Sequence, residues 1–372
     1  MAAPADFRAV MDIGTNSVRL LVASVDGGRI VALRRELVTA RLGQGMGKTI
    51  LPEAAERTLA ALRKFRRSIQ DTVGLERAEI RLVGTQFLRE ADNALEFRER
   101  VAQTLGWELE ILPGPQEAWL SYIGATNSLS LSGGAGAGAA DGVGAGAADG
   151  AGAANGAGGE AGDAGGSADG AGAADGARAG AANGAGSGAG AGAVWAVLDI
   201  GGGSTEIMLP DKDGKLAGAS VPIGALRLYQ QPMTSDEIQA YLGEQWRDIP
   251  FPEAFSLVGV AGTCTTLGAV HLGMTRYDAE RLSGMEMSRV QIEAIQNRIL
   301  PMTPARRLEV PGMTPGREDI IPYGVGLLLE IMCFLRRDRI VIQDADLLQG
   351  LILRDLGLVR DFSIQQHREA GV

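Results

Sequence analysis

The stretch from Trp195 to Leu209, WAVLDIGGGSTEIML, constrains the fold of this chain more than any other. A short apolar run ends at Asp199, three glycines follow, and a second apolar run begins at Ile207. This order predicts a strand, a tight turn and a second strand. Because glycine leaves the backbone N–H groups of a turn bare, the turn can form a concave site for an anion, and phosphate is the favoured ligand.

Two carboxylates, Asp199 and Glu206, flank these glycines. A carboxylate beside a bound phosphate is favourable mainly when a hard cation such as Mg²⁺ lies between them. The sequence therefore indicates a site for phosphate and a metal ion. The alternative is an ordinary hairpin with an acidic flank.

A second stretch, AVMDIGTNSVRLLVAS at 9–24, has the same layout near the N-terminus. An apolar run reaches Asp12, a turn with Gly14 follows, and Arg19 lies in the next apolar run. Asp12 and Asp199 are 187 positions apart, so the repeated unit indicates an internal duplication. Two such hairpins that face each other would form a cleft.

Length and composition narrow the chemistry. At 372 residues the chain is long enough for two domains with their own cores. The apolar surroundings of Cys264 and Cys333 favour buried free thiols over a disulfide or a metal site. The chain has two histidines, His271 and His367, which are too few for a histidine-rich metal site and make a Ser-His-Asp triad an unfavoured interpretation. Carboxylates, hydroxyls and backbone groups must therefore carry the chemistry.

The first residues, MAAPADFRAVMDIG, lead directly into the first hairpin and show no signal-peptide pattern, and no apolar run approaches the roughly 18 residues that a membrane span requires. We therefore expect a soluble cytoplasmic protein without membrane or nucleic-acid partners, and leave a homodimer open. The net charge of −10 bears on solubility and not on the sign of one cleft.

The segment 131–193 differs from the rest of the chain. It is almost wholly glycine and alanine, its AADG and AANG units recur at irregular intervals, and no large apolar residue recurs with them. This pattern fits neither a calcium-binding β-roll nor collagen. Without side chains to bury, the segment cannot offset its loss of chain entropy, so we predict a disordered insertion.

Between the two hairpins, alternating strand and helix patterns are predicted. A strand at 29–41 is followed by a helix at 53–69, a strand at 79–83, and one helix capped by Thr85 that carries Arg89 and Asn93 in its first turns. The intervening RLGQGMGKT at 41–49 resembles a P-loop, but that pattern needs glycine where Leu42 stands. We predict a flexible exposed turn there.

A strand at 109–112 leads into PGPQEAWLSYIGA, which opens a helix with Glu117 in its first turn. An acidic residue at this position is explained structurally by the helix dipole. Its functional explanation is a carboxylate at the cleft wall that orients and deprotonates a water. The residues alone leave both explanations open.

Three later stretches complete the second half. SLVGVAGTCTTLGAV at 256–270 predicts a strand, a Gly-Thr turn and a helix start, which is a third place where backbone and hydroxyls could meet a phosphate or a nucleoside. Arg317 lies in a loop before a long apolar helix that ends near 334. A strand and a helix at 339–356 end the core.

Seven motifs occur along the chain in the order DIGTNSVRL, GTQFLREADN, PGPQEA, LDIGGGSTE, PIGALRL, GVAGTCTTLGAV and REDIIPYG. Together they resemble the exopolyphosphatase and guanosine pentaphosphate phosphohydrolase family in its short two-domain form. That family belongs to the superfamily of actin, sugar kinases and heat-shock chaperones. The resemblance covers nearly all of the chain outside 131–193.

The resemblance implies an α/β fold with two ribonuclease-H-like lobes and a cleft between them. The first lobe is expected at 1–120 and the second at 194–356, with a C-terminal helix at about 357–372 packed back on the first lobe. The implied activity is the release of terminal orthophosphate from inorganic polyphosphate. Guanosine pentaphosphate, or the related tetraphosphate, is the alternative ligand.

The same resemblance assigns roles to individual residues. Glu117 matches the catalytic base, and Asp199 and Glu206 match the acids near a divalent metal, Mg²⁺ or alternatively Mn²⁺. The positions that match phosphate-binding residues are Asp12, Gly14, Thr15, Asn16, Ser17, Arg19, Arg89, Gly201, Gly202, Gly203, Ser204, Thr205, Arg227 and Arg317.

The chain departs from the family in three places. The family usually has Ser-Gly-x-Glu-Glu-Ala where this chain has PGPQEA, which changes the neighbours of Glu117 but keeps the acid. The family's Thr-Ser-Ala reads TQF here, which places Gln86 and Phe87 beside the cleft. The Gly/Ala-rich insertion separates Glu117 from Asp199 by 82 positions, where the family generally has a short connection.

Two other classes of protein compete with the hydrolase. One is a non-catalytic sensor of alarmone or polyphosphate, which would not need Glu117, Asp199 and Glu206 together. The other is a kinase of the same superfamily, but most sugar kinases are longer and no acceptor-side acid pattern is present. Product analysis distinguishes them, because a hydrolase releases orthophosphate without an acceptor.

Overall fold

The computed structural model describes residues 6–26, 29–45, 47–132 and 194–359. Over these ranges the chain forms two β-sheets, each covered by helices and each with its own hydrophobic core. The prediction of a two-lobed α/β fold is confirmed. Most of the Gly/Ala-rich insertion and the end of the chain from residue 360 lie outside the described residues, as do the predictions made for them.

The first sheet has the strand order β3-β2-β1-β4-β5. Strands β1, β2 and β3 pair antiparallel, whereas β4 and β5 run parallel to β1. Its strands are β1 Asp6–Ile13, β2 Ser17–Asp26, β3 Arg29–Thr39, β4 Ala78–Gly84 and β5 Leu109–Ile111.

The second sheet has the order β10-β11-β9-β6-β7-β8. Read from β8, the sequence β8-β7-β6-β9-β11 repeats the order and the strand directions of the first sheet. The predicted internal duplication is therefore present in the topology. The strands are β6 Trp195–Ile200, β7 Thr205–Pro210, β8 Leu216–Val221, β9 Ser256–Val260, β10 Met285–Ser288 and β11 Arg339–Ile342.

Helices cover both sheets. Helix α1 begins at Pro52, as the ring geometry of proline favours, and buries Leu59, Leu62, Phe65 and Ile69 against the first sheet. The helices are α1 Pro52–Thr72, α2 Gln86–Glu90, α3 Ala94–Leu105, α4 Gly114–Ser132, α5 Ala225–Gln230, α6 Ser235–Gln245, α7 Ala261–His271, α8 Ala279–Leu282, α9 Arg289–Ile299, α10 Pro304–Leu308, α11 Ile321–Phe334 and α12 Leu347–Asp355.

The prediction of a single helix after Thr85 is wrong, because the structure has two helices there. The chain forms α2, leaves helical geometry at Ala91, and starts again as α3. Asn93 causes the break, because its side-chain amide accepts from the N–H of Ile50 at 2.9 Å and donates to its carbonyl at 3.1 Å. Thr85 makes no side-chain cap. Arg89 therefore sits in a short separate helix that a loop of the first lobe holds in place.

Two sequence predictions about exposure need correction. Cys264 is buried, but Cys333 is exposed, because it lies on the outer face of α11. In the loop at 41–49, Leu42 and Gly43 are buried, since the N–H of Gly43 donates to the carbonyl of Thr15 at 2.9 Å. The predicted exposure is therefore limited, among the described residues of this loop, to 44–45 and 47–49.

Helices α4 and α12 cross in backbone contact. A Cβ added at Gly124 of α4 would overlap the carbonyl oxygen of Asp346, and one added at Gly350 of α12 would overlap that of Leu120. Helix α4 also packs on β6, β7 and β8, and α12 packs on β1. This pair of helices therefore connects the two sheets. None of the helices described here is long and apolar enough to cross a membrane.

Candidate active site

The two glycine turns have the same internal hydrogen bond. The N–H of Gly14 donates to the carbonyl of Ser17 at 3.0 Å, and the N–H of Gly201 donates to the carbonyl of Ser204 at 3.0 Å. Each turn joins two antiparallel strands at the corresponding position of its sheet. The duplication thus extends to individual atoms, and the two turns are equivalent elements.

The two turns lie against each other. A Cβ on Gly202 would come within 3.0 Å of the Cβ of Asn16, and one on Gly203 would overlap Oγ1 of Thr15. Thr15 is also in contact with Gly43, so its side chain is enclosed on two sides. These glycines therefore allow the close approach of the two lobes, in addition to exposing backbone N–H groups to a ligand.

We expect Gly203→Ala to reduce kcat/KM by at least about 10-fold, because the new methyl group must push the two turns apart and small displacements of binding groups are costly. Steady-state kinetics measure the effect. Gly243→Ala is the matched control, since its Cβ would meet nothing closer than 3.9 Å in the same lobe. Equal kcat/KM for the two variants would contradict the contact between the turns.

The first hairpin neutralises its own charge. Asp12 and Arg19 are directly opposite each other in the register of β1 and β2. The guanidinium of Arg19 donates twice to Oδ2 of Asp12, at 2.8 and 3.0 Å, and also to Asp346 at the start of α12. The other oxygen of Asp12, Oδ1, is buried, and none of the described residues forms a hydrogen bond with it. Arg19 thus serves as the counter-ion of two buried acids.

The acids of the second hairpin form no ion pair with an arginine or lysine among the residues that the structure describes. Asp199 and Glu206 occupy the positions equivalent to Asp12 and Arg19, and they too are directly opposite in register. Both are buried, and their hydrogen bonds come from hydroxyls: Ser121 donates to Asp199 at 2.8 Å, and Ser220 donates to Glu206 at 2.7 Å. Two carboxylates therefore face each other where the first hairpin pairs an acid with a base.

This concentration of buried negative charge raises the pKa values of Asp199 and Glu206. Burial, together with repulsion from Asp346 and Glu117, raises the pKa of Asp199 from 3.8 to about 7. Burial and the charges of Glu117 and Asp199 also raise the pKa of Glu206 well above its ordinary value. A cation placed between these groups would offset the repulsion.

Glu117 lies in the first turn of α4, buried, with 7% of its surface exposed. Nη1 of Arg89 donates to its Oε2 at 2.5 Å and to the carbonyl of Leu112 at 2.8 Å. Burial raises the pKa of Glu117, and the positive charge of Arg89 opposes that shift. Because the charge of Glu117 acts on both Asp199 and Glu206, the three acids lie in one electrostatic environment. Arg89, predicted as a phosphate contact, thus also orients the candidate base.

Two other predicted phosphate contacts have different environments. Arg227 is already paired: it donates to Oε2 of Glu90 at 2.8 Å across the cleft and to the carbonyl of Gly203 at 3.1 Å. Arg317 is buried against Gly262, and among the described residues no carboxylate pairs with it. Burial, followed by repulsion from Arg19, lowers the pKa of Arg317 to about 10. Arg317 is therefore the more available anion ligand.

The remaining predicted contacts lie in the two turns. Asn16 donates to Ser17 at 3.1 Å, and the hydroxyl of Thr205 donates to the carbonyl of Ile223 at 2.7 Å. The Thr205 side chain thus stabilises the fold and leaves its backbone for a ligand. The hydroxyl of Ser204 forms a hydrogen bond with Glu206.

Two cavities flank this cluster. One, of about 840 Å³, is lined by Thr15, Gln86, Arg89, Gly203 and Arg227 among others. The second, of about 700 Å³, is lined by Arg19, Gly262, Arg317, Tyr277 and Asp346 among others. Of the predicted residues, Thr15, Arg89, Gly203 and Arg227 line the first cavity. Arg19 and Arg317 line the second.

The sequence analysis missed several residues of this cluster. Asp346 is the most important, because it pairs with Arg19 from a position 327 residues away. The sequence feature that could have identified it is the IVIQDAD stretch, in which Asp346 follows strand β11. Strand β11 ends at the same edge of the sheet as the strand that leads into the second glycine turn. Ser121 and Ser220 gave no signal of their own, since each acts through a carboxylate that only the folded chain brings close.

The acids fit a hard divalent cation in their donor chemistry. Among the residues that the structure describes, no three His, Cys, Asp or Glu side chains are grouped tightly enough to form a complete protein cage. Mg²⁺ does not require one, because it commonly takes one or two carboxylates and completes its shell with waters and substrate phosphates. The orphaned Oδ1 of Asp12 and the facing pair Asp199 and Glu206 supply such oxygens.

The raised pKa of Asp199 leads to a prediction about stability. Between pH 4 and 7 the folded protein keeps a proton that the unfolded chain has released, so without divalent cations stability should fall as the pH rises through this range. Thermal unfolding midpoints at pH 5 and 8 in a chelator measure this. Mg²⁺ should raise the midpoint more at pH 8 than at pH 5, and Asp199→Asn should reduce both effects. Identical pH profiles for wild type and variant would exclude this origin.

Known proteins match this chain over almost its full length. The family model of the Ppx/GppA phosphatase family matches residues 21–137 and 174–358. Exopolyphosphatase 2 of Mycobacterium tuberculosis is 29% identical over 373 residues, which covers 93% of this chain and 97% of that protein.

Solved structures share the fold. The structure of an exopolyphosphatase-like protein superimposes with a TM-score of 0.71 at 24% identity, covering 95% of this chain and 98% of the other. That of an exopolyphosphatase from Cytophaga hutchinsonii gives 0.70 at 20% identity, covering 95% and 99%. With the duplicated turns and the acid cluster, the match to the family model leads to one conclusion: this chain belongs to the Ppx/GppA phosphatase family.

Proposed function

We propose that this protein hydrolyses inorganic polyphosphate from its end and releases orthophosphate. The observation that carries the proposal is the placement of Glu117, a buried carboxylate held by Arg89 within the electrostatic reach of Asp199 and Glu206. A carboxylate in this position suits a general base that acts on water beside a bound phosphoryl group. The similarity to an exopolyphosphatase over 97% of that protein's length supports the choice of substrate.

In the proposed reaction, the terminal phosphoryl group lies between the two glycine turns. Glu117 accepts a proton from a water molecule while the water oxygen attacks the terminal phosphorus in line with the bridging oxygen. The bond from phosphorus to that oxygen breaks, and the shortened chain leaves with the electron pair. The products are orthophosphate and a chain one unit shorter.

A divalent cation, Mg²⁺ or alternatively Mn²⁺, would be held by Asp12, Asp199 and Glu206. When bound, it supplies positive charge to the phosphate oxygens and allows the acids of the second hairpin to ionise. The protein's own contribution is the positioning of the chain end by the two backbone turns, of the water by Glu117, and of charge by Arg317.

Guanosine pentaphosphate is the alternative substrate, and the second cavity favours it. Its walls combine the apolar side chains of Met274 and Met313 with the ring of Tyr277, next to Arg317, whose buried Nε has no hydrogen-bond partner in the described part of the chain. A nucleoside could pack against such walls while its phosphates reach the turns. A sensor without turnover would use the same contacts but has no use for a positioned base.

Orthophosphate release with Mg²⁺ tests the proposal on long polyphosphate, short polyphosphate and guanosine pentaphosphate, each without an added acceptor. Faster release from polyphosphate supports the proposed activity, and faster release from the nucleotide supports the alternative. Release that requires a small acceptor would identify a kinase. Tight binding without release from any of the three would identify a sensor and contradict the hydrolase.

A further inference from the structure

Gln86 occupies a position between two charged groups of the cleft. It is the first residue of α2 and is buried, with 7% of its surface exposed. Its side-chain oxygen accepts a hydrogen bond from Nη2 of Arg89, and its side-chain nitrogen donates to Glu90 at 2.5 Å. The partners fix the orientation of the amide, because a guanidinium can only donate and a carboxylate can only accept.

Gln86 thereby joins two interactions of the cleft. On one side, Arg89 binds Glu117 through its other terminal nitrogen, Nη1. On the other side, Glu90 forms an ion pair at 2.8 Å with Arg227 of the second lobe, whose Nε donates to the carbonyl of Gly203 in the glycine turn. A continuous chain of hydrogen bonds therefore runs from the candidate base across the cleft to the second turn.

We propose that Gln86 is a positioning residue, which fixes Arg89 on Glu117 and joins that pair to the Glu90–Arg227 contact between the lobes. The proposal rests on the proposed function, since Glu117 is the group through which Gln86 acts. It does not assign Gln86 any contact with substrate.

The geometry explains why this position needs a long amide. Without the acceptor on Gln86, Arg89 loses one of the contacts that orient its guanidinium, and its contact with Glu117 becomes less well defined. A serine, which the related family usually has at this position, is too short to bind a guanidinium and a carboxylate of neighbouring turns at the same time. The bridge is therefore a feature of this chain, produced by one of its departures from the family pattern.

A double-mutant cycle of Gln86→Met and Glu117→Gln tests the proposal. Methionine keeps the length of glutamine but neither accepts from Arg89 nor donates to Glu90. The variant therefore loses two hydrogen bonds to charged groups, and the loss of the one that holds Arg89 on Glu117 should reduce kcat for polyphosphate by about 10-fold or more, with little change in KM. In the Glu117→Gln background the same change should have almost no further effect on kcat, because the group through which Gln86 acts is already gone.

Gln239→Met is the matched control. Gln239 lies on α6 and lines neither cavity, and its side-chain nitrogen donates to the carboxylate of Glu330 at 2.7 Å, so the variant loses a comparable bond between an amide and a carboxylate. Its kcat should stay near that of the wild type. An equal loss in Gln239→Met, or a loss in Gln86→Met that multiplies with that of Glu117→Gln, would overturn the proposal and leave the hydrolase intact. Full activity of Glu117→Gln would overturn both.

A crystal structure of Gln86→Met gives a test that does not depend on turnover. The contact between Nη1 of Arg89 and Oε2 of Glu117, 2.5 Å in the wild type, should lengthen or be lost. An unchanged contact would show that Arg89 holds its position without Gln86, and would overturn the proposal. A thermal unfolding midpoint within a few degrees of the wild type confirms that the variant is folded.

Discussion

Glu117→Gln should lower kcat for orthophosphate release by about 10²- to 10⁴-fold, because the amide cannot accept the proton of the attacking water. Glutamine has nearly the same shape and can still accept a hydrogen bond from Arg89, so KM should change much less than kcat. Steady-state kinetics with polyphosphate measure both constants. A fall in kcat with little change in KM identifies a general base, whereas a rise in KM alone would identify a residue that only binds the substrate.

The control for this substitution is Glu108→Gln, which removes an exposed acid of the same lobe and should leave kcat unchanged. Binding of polyphosphate to Glu117→Gln by calorimetry shows whether the cleft is intact. A variant that binds normally and turns over at the wild-type rate would contradict the role of Glu117 and would return this acid to its structural explanation, stabilisation of a helix N-terminus.

Gly350→Ala should destabilise the protein by about 3 kcal/mol, at the upper end of what overpacking costs. The added methyl group would overlap the carbonyl oxygen of Leu120, and two helix backbones cannot separate without moving the elements that they connect. Urea unfolding measures the loss. Because α4 carries Glu117 and α12 begins beside Asp346, activity should fall together with stability.

Gly326→Ala is the matched control, because it makes the same substitution inside another helix, α11. Its Cβ would meet nothing closer than 3.5 Å, so the higher helix propensity of alanine should leave stability equal or raise it by up to about 1 kcal/mol. If both variants unfold at the same urea concentration, close backbone contact between α4 and α12 is not what holds the helices together.

Local patterns in the sequence predicted the elements that define the cleft. Each hairpin is marked by an apolar run, an Asp-x-Gly turn and a second apolar run, and the spacing from Asp199 to Glu206 places the two acids opposite each other in register. The equal spacing from Asp12 to Arg19 places this acid and this base opposite each other in the first hairpin. Such patterns succeed because strand pairing through a tight turn is decided by neighbours in sequence.

Partners distant in sequence were not predicted. The pairing of Arg19 with Asp346 and the pairing of Arg227 with Glu90 depend on how α4, α12 and the two sheets pack. Arg227 lies in a motif that predicts phosphate binding, but its guanidinium already forms an ion pair with Glu90 of the other lobe. The sequence could identify charged residues of the cleft, but only the folded chain decides which of them neutralise one another.

Hydrolysis in water enriched in ¹⁸O tests the central claim most directly. Attack of water on the terminal phosphorus places the labelled oxygen in the released orthophosphate, and we expect one such oxygen in each orthophosphate and none in the shortened chain. Mass spectrometry of both products, after a single turnover with Mg²⁺ and polyphosphate, measures the distribution. Label in the shortened chain, or orthophosphate released without label, would contradict in-line attack of water at the chain end.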